Sequence, residues 1–273
     1  VGDRVFLRTP SHGPGAFLFS LGGPFADALR GAGDNLVLRA AHALWGDRRG
    51  APFGADLALE KNLPIASGLG GGSSDAGAAL RLLRNDWQLG MDDNELQRVA
   101  GSLGADGAAC LWGRPVVAQG RGEQLSPAPR FPAIDAVLVN PGVPVSTPAV
   151  YAAFDAAGTF GSIEPPAGPD VFGDADELAT WLAGQRNDLE ASAIAVAPEV
   201  GVVLAALERE PETLLARVSG SGGTCFALCA DDISAEGLAE RIESLEPHWW
   251  VRRCSGECSL WAGRRASVRH WQA

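Results

Sequence analysis

One stretch of the sequence, residues 64–83, combines the residue types that bind phosphate groups. Glycines cluster near its start, two serines follow them, and a run rich in alanine and leucine completes it. Glycine permits positive φ and leaves no Cβ in the way of a ligand. The run that follows favours a helix, whose first turn carries backbone N–H groups and the positive end of the helix dipole. We therefore expect a glycine loop that leads into a helix and binds phosphate there.

The order of residues separates three kinds of phosphate-binding loop. A Walker loop ends in Gly-Lys-Ser or Gly-Lys-Thr, whereas Gly72 is followed directly by Ser73 here. A dinucleotide-binding fingerprint directly follows an apolar strand, and Pro64 and Ser67 stand where that strand should end. The third pattern, P-x-x-x-G-L-G-x-x-S-S, is typical of kinases that phosphorylate small alcohols. The alternative to all three is a glycine-rich surface loop before a structural helix.

Periodicity and capping residues predict the elements that position this loop. In the first half we expect strands at residues 1–8, 16–21, 57–61 and 115–119, and helices at 34–44, 74–85 and 92–103. In the second half we expect strands at 134–140, 214–219, 224–229 and 249–254. We expect one helix to start at residues 146–148, and further helices near 176–182, 188–195, 198–208 and 234–245. A second glycine loop, residues 219–223, lies between two of these strands. A proline-rich connector predicts two domains, residues 1–129 and 130–273.

The net charge of −11 limits the partners of the chain. It disfavours binding to nucleic acid or to an anionic membrane, so an anionic nucleotide would be held by helix ends, backbone amides and a few basic groups. No apolar run reaches membrane-spanning length, and we expect a cytoplasmic enzyme. Cys225 and Cys229 lie in an apolar run, so we interpret them as core residues rather than zinc ligands.

An aspartate downstream of the first glycine loop is the candidate catalytic residue. Asp106 stands between Ala105 and Gly107 and follows a predicted helix. On its own, this context is typical of a turn residue or a helix cap. Its place between two glycine loops provides a second interpretation, because the three features occur in an order that is found in a family of enzymes.

The segments around both loops and the aspartate carry this likeness. They are Asp34-Asn35-Leu36, Lys61-Asn62-Leu63-Pro64, Gly68 to Asp75, Leu103 to Asp106, Pro141-Gly142 with Ser146-Thr147-Pro148, Arg186 to Leu189, and Ser219 to Phe226. Together they resemble the GHMP kinases, which act on galactose, homoserine, mevalonate and related alcohols. The resemblance implies an α+β chain with the two-domain GHMP kinase fold, in which a ribosomal-S5-like α/β domain precedes a ferredoxin-like α+β domain.

The resemblance also implies a reaction and a set of site residues. The γ-phosphoryl group of ATP, with Mg²⁺, would pass to a hydroxyl whose proton Asp106 accepts. Thr147, Gly220 and Gly222 would lie on the substrate side. The ATP-binding positions would be Asn35, Lys61, Pro64, Gly68, Leu69, Gly70, Gly71, Gly72, Ser73 and Ser74, the last two beside Mg²⁺. The implied partners are ATP and a small-molecule substrate, with no nucleic acid or membrane, in a monomer or homodimer.

Three features of the family pattern are not in this sequence. Family members begin with a strand that carries A-K-[IL]-N, whose lysine pairs with the catalytic aspartate, and a G-Y/F-H segment follows it. Asp106 is followed by Gly107 and Ala108, where the family has Val-Pro or Ile-Pro. We therefore expect the sequence to lack an N-terminal segment of the family. Another alcohol kinase of the family and a nucleotide-binding member without catalysis are the alternative hypotheses.

Overall fold

The computed structural model describes residues 1–8, 16–30, 35–46, 54–158 and 168–256. These residues belong to two units. The first unit is built from Gly2–Leu63 and Gly70–Ala128, and the second contains Pro64–Leu69 and the described residues from Pro129 to Gly256. The glycine loop is therefore divided between Leu69 and Gly70. The division into domains at residue 129 stays a prediction.

The first unit packs helices against a mixed sheet. Its strands are β1 (Arg4–Arg8), β2 (Phe17–Gly22), β3 (Ala55–Glu60), β4 (Val116–Gln119) and β5 (Gln124–Pro127), and its helices are α1 (Leu36–Gly46), α2 (Gly71–Asp86), α3 (Asp93–Leu103) and α4 (Gly107–Leu111). Within the described residues the strand order is β1-β3-β2, with β3 antiparallel to β1 and parallel to β2. The parallel pair needs a crossover, and α1 lies in that connection. Strands β4 and β5 form a separate hairpin.

The core of the first unit confirms the apolar face predicted for the helix after the loop. Ala76, Ala79, Leu80 and Leu83 of α2 are buried, the last three of them completely. They share one core with residues of α1, α3 and β3, including the fully buried Leu57. Burial of one leucine side chain stabilises a fold by roughly 1.5–3 kcal/mol, so the helix that follows the loop is firmly anchored.

The second unit contains an antiparallel sheet with helices on it. Its elements are β6 (Ile134–Asn140), α5 (Thr147–Ala157), α6 (Ala175–Ala183), α7 (Glu190–Val196), α8 (Pro198–Glu208), β7 (Leu215–Val218), β8 (Cys225–Cys229), α9 (Asp232–Leu245) and β9 (Trp250–Gly256). In the described part of the chain the strand order is β7-β8-β6-β9. The succession β6-α8-β7-β8-α9-β9 in this order is the ferredoxin-like arrangement, which confirms the α+β prediction.

Both faces of this sheet are covered. Val137 and Val139 of β6 share the main core with Leu207 of α8 and Leu238 of α9, and all four are fully buried. Ala136, on the opposite face of β6, contacts a smaller cluster that includes Ala179 of α6. This alternation is that of a strand whose successive side chains point to opposite faces.

The two cysteines of β8 lie in the main core, which confirms their interpretation as small apolar residues. Cys225 and Cys229 are fully buried. Burial raises the pKa of the Cys225 thiol to about 12 and that of Cys229 to about 11. Both side chains therefore stay protonated in the folded protein.

Some boundaries and short elements differ from the prediction. Helix α2 begins at Gly71 rather than Ser74, because Gly70 adopts the left-handed conformation and turns the chain earlier. The prediction placed the start at a serine, since serine is a common helix cap. The short elements α4 and β5 were not predicted. Asp34, at the predicted start of the first helix, lies outside the described residues.

None of the helices in the described ranges combines the length and the apolar character that a membrane span needs. The longest of them, α2, carries charged side chains such as Asp75 and Arg84.

Candidate functional site

The N-terminus of α2 is built from backbone rather than from a capping side chain. Gly70 occupies the cap position with φ 63° and ψ 17°, and no side chain of the described residues caps the helix. The Gly70 carbonyl accepts the hydrogen bond of Ser74 N at 2.9 Å. Ser73 and Ser74 therefore lie within the first turn, beside Gly71 and Gly72. Such a helix end suits an anion, because its N–H groups and its dipole face the same way.

The glycines of this turn also satisfy packing constraints. A Cβ at Gly71 would lie 3.1 Å from Lys61 Nζ, and one at Gly72 would lie 3.2 Å from Leu36 Cδ1. A Cβ at Gly77, one turn further on, would lie 2.9 Å from the Cα of Leu111. The small residues thus let α1, α4 and Lys61 approach the start of α2 closely.

The upstream part of the loop, Pro64–Leu69, belongs to the second unit and contacts the second glycine loop there. Gly68 has φ 73°, and a Cβ on it would lie 2.2 Å from the Ser219 carbonyl oxygen and 2.5 Å from that of Gly222. The Ser219 hydroxyl donates to the Gly68 carbonyl at 2.9 Å. A Cβ at Gly223 would lie 2.8 Å from the Ala66 carbonyl oxygen. The two loops therefore meet backbone to backbone, and only glycine fits at Gly68.

Side chains from two other segments of the second unit stabilise the conformation of the second loop. Gly220 and Gly222 adopt positive φ, 54° and 98°. The Asn187 side chain donates to the carbonyls of Val218 and Gly220, both at 2.9 Å. The hydroxyls of Thr147 and Ser221 lie 2.8 Å apart. The structure thus brings three of the predicted residues, Thr147, Gly220 and Gly222, to one place in the second unit.

Two residues of this loop environment had no role in the sequence analysis. Asn187 belonged to a quoted motif without an assigned function, and Ser221 was one of several loop residues. Its amide makes Asn187 the donor that supports the loop, and Ser221 is largely buried against Thr147. The signal for Asn187 was its place in the Arg-Asn-Asp-Leu segment, whereas nothing in the sequence distinguished Ser221 from its neighbours.

Asp106 stands at the start of α4 with an exposed side chain. It is the residue before the first helical position, and its carbonyl accepts from Cys110 N at 2.9 Å. A Cβ at Gly107 would lie 2.0 Å from the Ala100 carbonyl oxygen, so α4 reaches α3 only because that position is glycine. This contact explains physically why Gly107 follows the aspartate in this chain.

Cys110 connects Asp106 to the start of α2. Its Sγ lies 3.9 Å from the Gly70 carbonyl oxygen. Burial raises the pKa of the thiol, a hydrogen bond with the Ser74 side chain lowers it, and the nearby Asp106 carboxylate raises it. Through Cys110, helix α4 thus contacts the start of α2 at Gly70, and Asp106 is the residue that precedes this helix.

Lys61 occupies a buried ionic cluster in the first unit. Its ammonium donates to the Asp3 carboxylate and, at 3.0 Å, to Asp75 Oδ2. The three side chains are only 5%, 3% and 6% exposed. Asp3 Oδ1 also accepts from the backbone N–H groups of Asn62 at 2.6 Å and Leu63 at 2.9 Å.

This burial shifts the pKa of the Asp75 carboxyl. Desolvation raises the pKa of its carboxyl from 3.8 to about 6, although the Lys61 charge lowers it, and the Asp3 charge adds to the rise.

Asn35, which was predicted together with Lys61 to bind ATP, caps α1. Its Oδ1 accepts a hydrogen bond from Leu38 N at 2.8 Å. The roles of Asn35 and Lys61 toward ATP stay predictions.

The residues near the loop also fit a magnesium ion that arrives with a nucleotide. Mg²⁺ is usually held by one or two protein oxygens together with phosphate oxygens and water. Among the described residues, no group of three or more His, Cys, Asp or Glu side chains could hold a metal ion. The Ser73 and Ser74 hydroxyl oxygens, at a helix N-terminus suited to phosphate, are oxygen ligands of the kind that Mg²⁺ takes.

Two family models match the chain. The GHMP kinases N terminal domain matches residues 35–114, and the GHMP kinases C terminal model matches residues 170–247. The first contains the glycine loop and Asp106, and the second contains the second glycine loop. Together they cover more than half of the sequence. The chain belongs to the GHMP kinase family.

Individual kinases of the family are similar to this chain over most of its length. The 4-diphosphocytidyl-2-C-methyl-D-erythritol kinase of Caulobacter vibrioides is 56% identical over 256 residues, which cover 93% of this chain and 87% of that protein. A crystal structure of 4-(cytidine 5'-diphospho)-2C-methyl-D-erythritol kinase is 31% identical, with a TM-score of 0.65, and covers 93% of this chain and 86% of the other. The homoserine kinase of Cytophaga hutchinsonii has a TM-score of 0.69 over 94% of this chain and 86% of its own, but at 20% identity it shows the fold alone.

Replacing Gly68 should test the contact between the two glycine loops. Gly68→Ala places a Cβ against two carbonyl oxygens, and we expect it to lower the free energy of unfolding by at least about 2 kcal/mol more than a matched control. The control is Gly158→Ala, since Gly158 has a similar φ of 65° but nothing within 4 Å of its Cβ position. Chemical denaturation of both variants provides the measurement. Equal losses would show that only the positive φ matters at Gly68.

Removing the Asp75 carboxyl should change how stability depends on pH. A group whose pKa is raised in the folded state contributes stability that is present below its unfolded pKa and is lost as the pH rises through the folded value. The pKa of Asp75 rises from 3.8 to about 6. The free energy of unfolding of the wild type, minus that of Asp75→Asn, should therefore fall as the pH rises from about 4 to about 6, and then level off. Urea denaturation across this range measures it, and a difference that does not vary with pH would contradict the buried carboxyl.

Proposed function

We propose that this chain is an ATP-dependent kinase that phosphorylates the 2-hydroxyl of 4-diphosphocytidyl-2-C-methyl-D-erythritol in non-mevalonate isoprenoid precursor biosynthesis. The observation that carries the proposal is the 56% identity, over 93% of this chain, to a relative that bears the name of this kinase. The site geometry supports it, because the first unit holds a glycine-bounded helix start and an exposed aspartate, and the helix that follows this aspartate contacts that start through Cys110.

The triphosphate of ATP is assigned to the start of α2. Gly70, Gly71 and Gly72 present backbone without side chains, and the dipole of a long helix stabilises negative charge at its first turn. The net charge of −11 makes such local groups necessary, since the chain as a whole repels anions. The Ser73 and Ser74 hydroxyls would hold Mg²⁺ together with the phosphates, and the ion would supply positive charge that offsets the negative charge of the transferred group.

Asp106 is the proposed general base. The acceptor hydroxyl oxygen forms a bond to the γ-phosphorus, the bond to the bridging β,γ-oxygen breaks, and ADP leaves. The proton of the hydroxyl passes to the Asp106 carboxylate. The exposed carboxylate at the start of α4, the helix whose Cys110 contacts the Gly70 carbonyl, supports this assignment. Positioning of this kind supplies most of the catalysis of phosphoryl transfer.

The acceptor is assigned to the second glycine loop. Thr147 and Ser221 present a pair of hydroxyls there, and Gly220 and Gly222 leave backbone groups uncovered by side chains. Such groups suit the diphosphate and hydroxyls of a cytidine-diphosphate-linked sugar alcohol. We place the enzyme in the cytoplasm as a monomer or homodimer that binds small molecules, without nucleic acid or membrane partners.

A coupled assay of ADP release tests the reaction. With ATP and 4-diphosphocytidyl-2-C-methyl-D-erythritol the protein should release ADP, and without the alcohol it should release almost none. Substrate-independent release, or no release at all, would contradict the proposed activity.

Asp106→Asn tests the assignment of the base. Loss of a general base typically lowers turnover by about 10²–10⁴-fold, while ATP affinity should stay within about threefold of the wild type. Asp155→Asn, an exposed aspartate on α5, is the control that should retain wild-type turnover. Unchanged turnover of Asp106→Asn would refute the assignment of the base.

A further inference from the structure

The cluster of Lys61, Asp3 and Asp75 has no role in the proposed chemistry and yet is costly to bury. Each of the three side chains is more than nine-tenths buried. Ions removed from water lose hydration, and a buried ion pair often stabilises a fold no more than apolar side chains of the same volume would. A cluster of this kind is therefore poorly explained by stability alone, and its location suggests what else it does.

The cluster joins the two chain segments that flank the loop in the first unit. Asp3 precedes β1 and accepts hydrogen bonds from the backbone of Asn62 and Leu63, directly before the loop. Asp75 lies in α2, directly after Ser74. Lys61 donates to both carboxylates and also lies beneath Gly71, 3.1 Å from where a Cβ would be.

From this placement we infer that Lys61, Asp3 and Asp75 are positioning residues for the phosphate chain of ATP. The ammonium links Asp3, whose carboxylate accepts from the backbone of residues 62 and 63, to Asp75, the residue that follows the first turn of α2. The backbone N–H groups of that turn are thereby fixed before the nucleotide arrives. A preorganised site binds more tightly, because ordering the loop does not have to be offset by the binding energy. The inference deepens the proposed function and rests on it for the identity of the ligand.

A direct role of Lys61 at the adenine, as the family resemblance implies, makes a different prediction. If the ammonium contacts adenine, its removal should weaken the binding only of ligands that carry the base. If it positions the helix start, its removal should weaken the binding of ATP and of inorganic tripolyphosphate equally. The aspartates would share the effect only in the second case, since they contact Lys61 and the backbone before the loop.

Four variants separate these cases. Lys61→Met keeps most of the side-chain volume without the charge, and Asp75→Leu removes the hydrogen-bond acceptor. Asp75→Asn keeps an acceptor for Lys61 and is the conservative rescue. Val99→Ala is the control for general destabilisation, because Val99 packs on the core of the first unit from α3 and lies outside the cluster.

Binding is measured by competition of ATP and of tripolyphosphate against a fluorescent ATP analogue. We expect Lys61→Met and Asp75→Leu to weaken both ligands by at least about tenfold, with Asp75→Asn and Val99→Ala within about threefold of the wild type. In turnover assays the KM for ATP should rise by the same factor as the dissociation constant, while kcat at saturating ATP falls less. Weakening of ATP without weakening of tripolyphosphate would overturn the inference in favour of an adenine contact.

Amide hydrogen exchange of the ligand-free protein provides a readout that needs neither ATP nor substrate. Exchange at residues 70–76 should accelerate in Asp75→Leu and Lys61→Met but not in Val99→Ala, and unchanged exchange would also overturn the inference. If Lys61→Met does not fold, the comparison of Asp75→Leu with Asp75→Asn decides. A wild-type protein that binds ATP but releases no ADP with the alcohol would refute the proposed function while these two measurements still judge the inference.

Discussion

A lysine ammonium buried between two carboxylates is the interaction on which the arrangement of the first unit around its helix start depends. It connects the residues before β1, the residues after β3 and the first turns of α2. Removing one partner from such a buried cluster typically costs about 3–5 kcal/mol, because the remaining charges stay in a low dielectric. The cluster therefore links the helix start to the sheet of its own unit.

The glycines of the two loops satisfy packing constraints in addition to the ligand binding that we propose for them. Gly68 is required by the carbonyls of Ser219 and Gly222, and Gly107 by the carbonyl of Ala100. Gly71 leaves space for Lys61. A motif that looks like a phosphate signature in the sequence is thus also a set of close backbone contacts. Both demands select the same residue, because only glycine lacks a Cβ.

Much of this was predictable from sequence, and the failures have physical causes. The buried face of α2 followed from helical periodicity, and the apolar run at residues 134–140 predicted the buried strand β6. The start of α2 was misplaced by three residues, since a left-handed glycine and not a serine turns the chain there. Helix α4 has five residues, too few for periodicity to show. The cluster around Lys61 could not be predicted, because Asp3 lies 58 residues away and only the sheet brings the two together.

The hydrogen bond between the Ser219 hydroxyl and the Gly68 carbonyl has a consequence for folding. It joins residues that are 151 positions apart in the chain. Contacts of such large sequence separation are slow to form, because the entropy of closing the intervening chain is lost before the contact stabilises anything. Helix α2 can form from local contacts, whereas the upstream part of its glycine loop must wait for β7 and the turn after it. During synthesis on the ribosome, this part of the loop therefore acquires its native contacts only after residues 215–223 have been made.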